Sequence, residues 1–467
     1  MVAQEEIKEI EKLFDRLFPI CRSITGPGLR ESLDILGEYI PLERFSVKTG
    51  TNLLNNWVVP EEWRIYEAWL KGPDGEKIVD FSDHNLHVVN YSIPVDKKLS
   101  LTELKDYLYT IPDLPEAIPY VTSYYKRRWG FCMRHKTYEK LKEGEYHAYI
   151  NSELLDGQLD YGHAILPGQT DREILISTYL CHPSMANNEL SGPLVATFLY
   201  NRLKKWQNRR FTYRFIFIPE TIGAIAYLHR FGTNLKEKLY SGLVLTCLGG
   251  ETRLNYKLTK RGDAPVDKVV KHFFKDKYLE NLNIPNGHIR DFIPLYGSDE
   301  RHYCSAGFNF PVGQMARLVY GYPEYHTSLD NKELITIKSL NQSINDIEKV
   351  LKGLELNGYY INQYPYGEIK LDQYNLYPNI NFSKNGNKDK FNDIDINGRQ
   401  FSQILTLLSY ADGTNSLIKI AEKNEEWFKD KRFNWNILEF EYVINILKEK
   451  GLLKGPYFKE EVEPIWK

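Results

Sequence analysis

The spacing of hydrophobic and polar positions divides the chain into four stretches with different predicted structure. Residues 1–45 are predicted to be helical, because the apolar positions of IKEIEKLFDRLFPI recur three or four residues apart. Residues 46–125 instead alternate between apolar and polar positions, as in NNWVVPEEWRIYEAWL and NLHVVNYSIPV, with a PDG turn between these runs. This alternation predicts a small β module.

From about residue 145 to residue 360, apolar runs of strand length alternate with longer helical patterns. EILISTYL, TYRFIFIPE and SGLVLTCLGG are predicted strands, and LSGPLVATFLYNRLKKW and IGAIAYLHRFG are predicted helices. YHAYINSELLDG and LDYGHAILPG have the pattern of a hairpin. The strand–helix–strand order predicts an α/β fold with a mostly parallel, covered sheet. Ligands of such sheets bind beyond the carboxyl ends of the strands.

The last hundred residues differ in composition from the rest. Residues 365–400 are rich in Asn, Asp and Gly and predict a linker or surface arm, and the helices from residue 401 onward match a winged helix. Residues 401–467 hold 10 Lys and Arg against 11 Asp and Glu, and the candidate recognition helix carries Glu439 and Glu441. Phosphate contacts need basic residues. A docking role, including homo-oligomer formation, is therefore favoured over DNA binding.

Composition excludes several classes of protein. The chain has 467 residues, which predicts two or three domains, and its 62 acidic residues nearly balance its 60 basic ones. This balance favours neither nucleic acid nor an anionic membrane as partner. The N-terminus has no signal-peptide pattern and no run is apolar enough to span a membrane. Five scattered cysteines indicate reduced thiols and a cytoplasmic protein.

Candidate chemistry lies where predicted strands end. His182 follows a strand in STYLCHPSMANNELSGP, and Glu220 ends the strand RFIFIPE. Taken singly, His182 could be a hydrogen-bonded strand-end histidine and Glu220 a helix cap. A buried carboxylate nevertheless needs a cation or a hydrogen-bond donor. His326 in YPEYHTSLDN, and the run from Asp299 to Arg301 in GSDERHY, are either further parts of a site or solvated turns.

These motifs, in this order, resemble the zinc aminopeptidase clan, which includes bacterial leucyl aminopeptidases, glutaminyl cyclases and transferrin-receptor-like domains. The whole chain is similar to an uncharacterised bacterial aminopeptidase-like family that shares RSITG, PYVTSYYKRRWGFC, CHPSMANNELSG and GSDERHYCSAGFNFPVG. The resemblance implies a zinc-aminopeptidase-type α/β domain of residues 1–45 and 126–364. It also implies an inserted protease-associated-like β domain of residues 46–125, and an arm plus winged helix of residues 365–467.

The resemblance also implies site residues. The clan binds two zinc ions through a histidine, a bridging aspartate, a glutamate, a second aspartate and a second histidine. The two histidines fall on His182 and His326, and the bridging aspartate falls on Asn188. The catalytic base and the adjacent glutamate ligand fall on Glu220 and Thr221, so the base is present while this ligand is missing.

Charge favours one zinc ion over two. Two ions carry four positive charges, and none of the matching ligand positions here carries a carboxylate, since the second aspartate falls near Thr246. Two histidines with one carboxylate and water form a known catalytic zinc set. That carboxylate is Glu220 or Asp299, and if it is Glu220 the mechanism needs another base. A site without metal stays open as an alternative.

Four further residues are candidates for substrate binding. Glu300 and Arg301 follow Asp299, and the segments of Arg22 and Arg128 are expected, from the resemblance, to return near the site. An arginine there would bind a substrate carboxylate or phosphate through paired hydrogen bonds. A structural salt bridge is the alternative for each arginine.

Three functional hypotheses follow. The first is a zinc-dependent, aminopeptidase-like hydrolase that acts on a peptide-like or amide substrate, with Glu220 as base. The second is a catalytically degenerate peptidase fold used for binding or assembly. The third is an enzyme that modifies an amide or amino sugar in surface-polysaccharide synthesis. None of the three requires nucleic acid or a membrane as partner.

Overall fold

The computed structural model describes residues 2–275, 288–319, 321–377, 396, 398–428 and 435–466. The helices are α1 Val2–Leu17, α2 Pro27–Gly37, α3 Leu101–Leu104, α4 His135–Tyr138, α5 Ser191–Leu203, α6 Ile222–Lys238, α7 Pro265–Lys275, α8 Glu300–Tyr303, α9 Ile337–Leu356, α10 Gly398–Tyr410, α11 Leu417–Phe428 and α12 Glu441–Glu449. The strands are β1 Glu43–Lys48, β2 Glu62–Lys71, β3 Lys77–Asp80, β4 Val95–Ser100, β5 Leu108–Tyr109, β6 Phe131–Cys132, β7 Glu145–Leu155, β8 Gln158–Leu166, β9 Glu173–Tyr179, β10 Thr212–Ile218, β11 Leu239–Leu245, β12 Asn255–Lys257, β13 His288–Arg290, β14 Val312–Ala316, β15 Tyr359–Asn362, β16 Asp412–Ser416 and β17 Leu453–Tyr457.

The chain forms two compact units. The larger unit comprises Met1–Asp267 and Gly287–Glu348, and the smaller unit comprises Lys268–Asn286 and Lys349–Lys467. The predicted boundaries after residues 45, 125 and 364 remain predictions, because compactness alone does not define a domain.

An eight-stranded sheet forms the centre of the larger unit, in the order β1-β8-β10-β9-β11-β14-β12-β13. Its four middle strands, β10, β9, β11 and β14, run parallel. The pairs β1/β8, β8/β10 and β12/β14 are antiparallel. The predicted α/β architecture with a large central sheet is confirmed, but the sheet is mixed. The parallel strands β9 and β10 are buried almost throughout, as their continuous apolar runs require.

A second sheet of four strands, in the order β3-β2-β7-β4, lies in the same unit. The predicted hairpin between β7 and β8 is wrong. Strand β7 pairs with β2 and β4, whereas β8 pairs with β1 and β10 in the central sheet. Strand β7 alternates in burial as a hairpin strand does, whereas β8 is buried almost throughout because it lies inside the central sheet. The local sequence pattern could not identify the partners of either strand. Strand β7 also lies outside the residues 46–125 predicted for the inserted domain.

Close packing brings α5 against the ends of the central strands. All residues from Ser191 to Tyr200 are buried. Gly192 makes this approach feasible, because a Cβ atom there would lie 2.2 Å from Thr178 Oγ1 and 2.5 Å from the Leu245 carbonyl oxygen. A side chain at Gly192 would push α5 away from β9 and β11, and therefore also displace the turn that precedes the helix.

His84, in the turn before β4, is expected to make stability depend on pH. Its Nδ1 accepts a hydrogen bond from the Leu86 amide at 3.1 Å. Burial, together with the charges of His87 and Arg134, lowers the pKa of His84 to about 4. The unfolded chain, with a histidine pKa of about 6.5, binds this proton first as the pH falls. The contribution of neutral His84 to the free energy of unfolding is therefore complete above about pH 6.5 and is lost as the pH falls toward 4.

The measurement is urea unfolding of the wild-type protein and of His84→Asn between pH 7 and pH 4. The asparagine oxygen can accept the same hydrogen bond without titrating. We expect the unfolding free energy of the variant to fall less steeply with acid. Equal slopes for the two proteins would contradict the neutral, half-buried state of His84.

The smaller unit contains a three-stranded sheet, β16-β15-β17, together with helices α10, α11 and α12. Part of the predicted arm, residues 378–395 and 397, lies outside the described residues. All five cysteines are free thiols. None of the helices in the described part of the chain is long and apolar enough to cross a membrane.

Candidate metal and catalytic site

The candidate residues meet at the carboxyl edge of the parallel strands. Strands β9 and β10 are in register at their ends, with Tyr179 opposite Ile218. His182 follows β9 by three residues and Glu220 follows β10 by two. The distance from His182 Nε2 to Glu220 Oε2 is 3.8 Å. The strand ends therefore bring these two side chains together, at the edge where α/β sheets bind ligands.

His182 is held by a buried carboxylate on the far side of its ring. Glu189 Oε2 lies 2.6 Å from His182 Nδ1, and the same carboxylate accepts a hydrogen bond from the Cys181 amide. Glu189 is fully buried, and the buried Arg22 guanidinium lies 3.8 Å from it. Arg22 Nε also donates to the His182 carbonyl oxygen at 3.0 Å. This arrangement fixes the ring so that Nε2 faces Glu220.

The surroundings of His182 favour positive charge on the ring. Burial by itself opposes this charge, but the surroundings, among them the Glu189 carboxylate 2.6 Å from Nδ1, raise the pKa of His182 well above its ordinary value. A field that stabilises a proton on this imidazole also stabilises a cation bound to it in the proton's place.

Cys181, His182 and Glu189 have ligand-type atoms within 4.8 Å of one another. These atoms already bond to each other or to the chain: Nδ1 to the carboxylate, and the Cys181 sulfur to the Glu220 amide at 3.3 Å. Burial raises the pKa of the Cys181 thiol to about 11, so it stays protonated near neutral pH. We therefore assign metal-binding capacity to the Nε2 side of His182 and no nucleophilic role to Cys181.

The second histidine faces the first. The ring centroids of His326 and His182 are 5.4 Å apart, and Tyr325 stacks on His326 with a centroid distance of 4.0 Å. Burial, reinforced by the charge of His182, lowers the pKa of His326 to about 3. Its Nε2 is buried and has no hydrogen-bond partner in the described part of the chain. A neutral imidazole with a nitrogen free of hydrogen bonds has the chemistry of a metal ligand.

Asn188 lies in a π-helical turn, Ala186–Leu190, directly before α5. Such turns often occur at functional sites. Asp330 holds the turn, because its carboxylate accepts the Asn187 and Asn188 amides at 2.6 Å and 2.9 Å. Burial raises the pKa of Asp330 to about 6. Asn188 Oδ1 is buried and has no hydrogen-bond partner among the described residues.

Glu220 begins a strained γ-turn. Thr221 has φ 65° and ψ −76°, and the Ile222 amide donates to the Glu220 carbonyl oxygen at 2.8 Å. The GSDE segment supports the turn from the opposite side. Asp299 Oδ1 accepts the Thr221 amide at 2.7 Å, and Ser298 Oγ donates to Glu220 Oε1 at 2.6 Å.

Asp299 has no exposed surface. Burial and the nearby Glu220 charge raise the pKa of Asp299 well above its ordinary value. Its second oxygen, Oδ2, has no hydrogen-bond partner in the part of the chain that the structure describes. Asp299 therefore braces the Thr221 backbone and offers one further oxygen.

Relief of the strain at residue 221 should stabilise the fold. A β-branched residue with positive φ is a conformational outlier, and such strain amounts to about 1–3 kcal/mol. Thr221→Gly is therefore expected to raise the free energy of unfolding by about 1 kcal/mol, after the entropy loss of glycine is subtracted. Thr221→Ala is the matched control, because it removes the same hydroxyl but keeps the strain. Chemical denaturation measures both, and equal stability of the two variants would contradict the assignment of strain.

The four remaining candidates differ in their burial and in the groups that they contact. Glu300 forms a buried ion pair with Lys257 at 2.9 Å, and Arg22 is buried beneath His182. Arg128 is exposed and donates to the Thr122 carbonyl oxygen. Arg301 is partly exposed, and its Nε has no hydrogen-bond partner among the described residues. The substrate-binding roles of these residues remain predictions.

Sequence reasoning assigned no role to two carboxylates of the site. Glu189 follows His182 by seven residues and Asp330 follows His326 by four, each inside a motif that was already singled out. An acidic residue in an otherwise apolar or small-residue segment was the available signal. The spacing could not show which histidine or backbone amide each of these carboxylates would contact, because the π-helical turn changes the direction of the side chains.

Comparison with known proteins agrees with this architecture. Residues 11–357 match the family described as a domain of unknown function, DUF4910. A protein of Clostridium acetobutylicum, described as a candidate polysaccharide biosynthesis protein with an aminopeptidase-like domain, is 41% identical over 440 residues, which is 94% of this chain and 96% of that protein.

Two solved structures are also similar. A candidate peptidase from Clostridium acetobutylicum has a TM-score of 0.83 at 38% identity and covers 97% of both chains. A zinc aminopeptidase from Bacillus subtilis has a TM-score of 0.53 at 12% identity, covering 75% of this chain and 94% of its own, and therefore shares the fold. On the extent of these matches, the chain belongs to the DUF4910 family, and its larger unit has an aminopeptidase-like fold.

Proposed function

We propose that this chain is a zinc-dependent hydrolase of a peptide or amide bond. The observation that carries the proposal is the convergence of two imidazoles and one carboxylate over the carboxyl edge of the sheet. The rings of His182 and His326 are 5.4 Å apart, and Glu220 lies 3.8 Å from His182 Nε2. The fold of a zinc aminopeptidase supports the same chemistry.

The donor atoms of the site fit one zinc ion. Buried polar atoms almost always have a partner, yet His326 Nε2, Asn188 Oδ1 and Asp299 Oδ2 have none within the described part of the chain. Imidazole nitrogens and carboxylate oxygens are common zinc ligands, and the Asn188 amide oxygen is a neutral donor beside them. His182 Nε2, His326 Nε2 and Asn188 Oδ1 would hold the ion. Asn188 is neutral and Thr221 offers no carboxylate, so a second divalent ion would lack the negative charge that it needs.

A bound zinc ion would polarise the carbonyl group of the substrate as a Lewis acid. Residues of the protein transfer the proton. Glu220 is placed to take a proton from the attacking water and return it to the leaving nitrogen. Ser298 Oγ orients this carboxylate, and Asp299 holds the backbone turn that carries it. Glu189 keeps the His182 ring in place from behind.

The proposal is tested by zinc content. Purified protein should contain close to one equivalent of zinc by mass spectrometry, and anomalous scattering at the zinc edge should place it between His182 and His326. His182→Ala and His326→Ala should each weaken zinc affinity by about 100-fold or more. His147→Ala, which removes a partly exposed histidine of β7, is the control. Full zinc retention in both site variants would refute the proposal.

A catalytically degenerate binding protein is the second candidate. Asn188 and Thr221 favour it, because each supplies a neutral side chain where the clan pattern has a carboxylate. The smaller unit, for which the sequence predicts a winged helix, would then act as a docking or oligomerisation module. Turnover of any amide substrate would exclude this candidate.

The name of the Clostridium relative refers to polysaccharide biosynthesis, so we include amides of amino sugars among the substrate classes to test. The five free thiols favour the cytoplasm as the place of action. The near balance of acidic and basic residues favours a small molecule over nucleic acid as partner.

A further inference from the structure

The distribution of carboxylates around the candidate site limits the charge of its substrate. Five carboxylates form hydrogen bonds to the site or its walls, and they belong to Glu189, Glu220, Asp299, Glu300 and Asp330. Four of these side chains are buried, with exposed fractions of 0%, and only the Glu220 side chain, at 27%, reaches solvent. Glu220 is therefore the one carboxylate of this set that a substrate can contact directly.

Three of the four buried carboxylates are already committed to other groups. Lys257 neutralises Glu300 at 2.9 Å. Glu189 faces His182 and the Arg22 guanidinium. Asp330 accepts two backbone amides of the π-helical turn and the Tyr322 hydroxyl. An ammonium group of a substrate would find these three charges already paired. Asp299 Oδ2 has no hydrogen-bond partner among the described residues, but Asp299 has no exposed surface through which a substrate could reach it.

The other groups near the two imidazoles are neutral or positive. Tyr120, Tyr179 and Tyr325 surround the two rings, with Tyr120 centroids 5.2 Å and 5.3 Å from His182 and His326. Arg301, two residues after Asp299, adds positive charge nearby.

Building on the hydrolase function proposed above, we propose that the crevice takes an amide whose acyl half carries no ammonium group. An α-ammonium would need a carboxylate partner, and Glu220, the one accessible carboxylate of these five, is the proposed base. In the reaction, water adds to the carbonyl carbon and the C–N bond breaks, giving a carboxylic acid and an amine. One water proton passes to the leaving nitrogen. The substrate is therefore an N-acylated amine, and the chain is not an exopeptidase that recognises a free N-terminus.

Two ligand pairs test the inference on the wild-type protein supplied with one equivalent of zinc. Alanine p-nitroanilide and N-acetylalanine p-nitroanilide share an amine, and their acyl halves differ by an ammonium group. N-Glycylglucosamine and N-acetylglucosamine form the matching sugar pair. Saturation-transfer NMR measures binding within minutes, and turnover is followed separately. Preference for the acetylated member of the first pair indicates that the substrate is a peptide-like amide. The same preference in the second pair indicates that the substrate is an amide of an amino sugar.

At pH 7 the acetylated member of at least one pair should bind about tenfold more tightly than its charged counterpart. An α-amino group loses its proton above a pKa of about 8, so at pH 9.5 the ratio should fall to about twofold. Asn188→Asp, which adds a carboxylate to the crevice, should reduce the ratio at pH 7. Asn151→Asp, at an exposed position of β7, is the control and should not.

Equal or tighter binding of the charged members at pH 7 would overturn the inference, as would the absence of binding in both pairs. Preferential binding of the acetylated member without cleavage has a different meaning. It would support the charge selection described here and count against the proposed hydrolysis.

Discussion

Glu220→Gln is expected to lower the rate of amide hydrolysis by about 10²–10⁴-fold, the range typical of general acid–base groups. Glutamine keeps the shape of the side chain and can still accept the hydrogen bond from Ser298 Oγ, but it cannot take a proton from water. Zinc content should be unchanged if the metal is held by the two histidines and Asn188. The measurement combines kcat/KM on an amide that the wild-type protein cleaves with zinc content by mass spectrometry.

Glu143→Gln is the matched control, because Glu143 is exposed on the surface and the substitution removes the same charge. Its activity should equal that of the wild-type protein. Full activity of Glu220→Gln would remove Glu220 from the mechanism. Loss of both zinc and activity in this variant would instead identify Glu220 as the third metal ligand, and another group would then have to act as base.

Glu189→Ala is expected to lower the free energy of unfolding by about 3–5 kcal/mol, measured by urea denaturation of zinc-free protein. Glu189 and Arg22 are both fully buried and lie 3.8 Å apart. Removal of one partner of a buried ion pair leaves the other charge uncompensated, which is much more unfavourable than loss of the pair itself. The variant also loses the 2.6 Å contact to His182 Nδ1.

Glu189→Ala combined with Arg22→Met provides the control. Removal of both charges should recover most of the stability, because the uncompensated guanidinium is then absent. Zinc affinity should stay reduced by about 10–100-fold in the double variant, since the partner that orients His182 is still missing. A stability loss below about 1 kcal/mol in Glu189→Ala would contradict a charged, buried pair.

Much of the candidate site could be predicted from the sequence because its parts follow strands directly. His182 and Glu220 come two or three residues after apolar runs, and parallel strands end at one edge of a sheet. His326 was harder to place, since it follows β14 by ten residues and reaches the site through a loop. The order of motifs along the chain predicted its position where hydrophobic periodicity could not.

The prediction was least successful where a residue had several partners to choose from. Asp299 and Glu300 are adjacent acidic residues that the sequence does not distinguish. In the structure, Asp299 contacts the Thr221 backbone, whereas Glu300 pairs with Lys257. The alternating patterns of β7 and β8 suggested a hairpin, yet the two strands belong to different sheets. In each case the local sequence is compatible with several contact partners, for the acidic side chains as for the strands.

The amino-acid sequence by itself determined the α/β architecture, the burial of the parallel strands and the edge at which His182 and Glu220 lie. These features depend on hydrophobic periodicity over a few residues. Only the tertiary structure decided that Glu189 supports His182, that Asp330 holds the turn of Asn188 and that the Glu220 side chain keeps exposed surface. Such contacts depend on which segments far apart in the chain pack together, as in the bond between Arg22 and His182 across 160 positions.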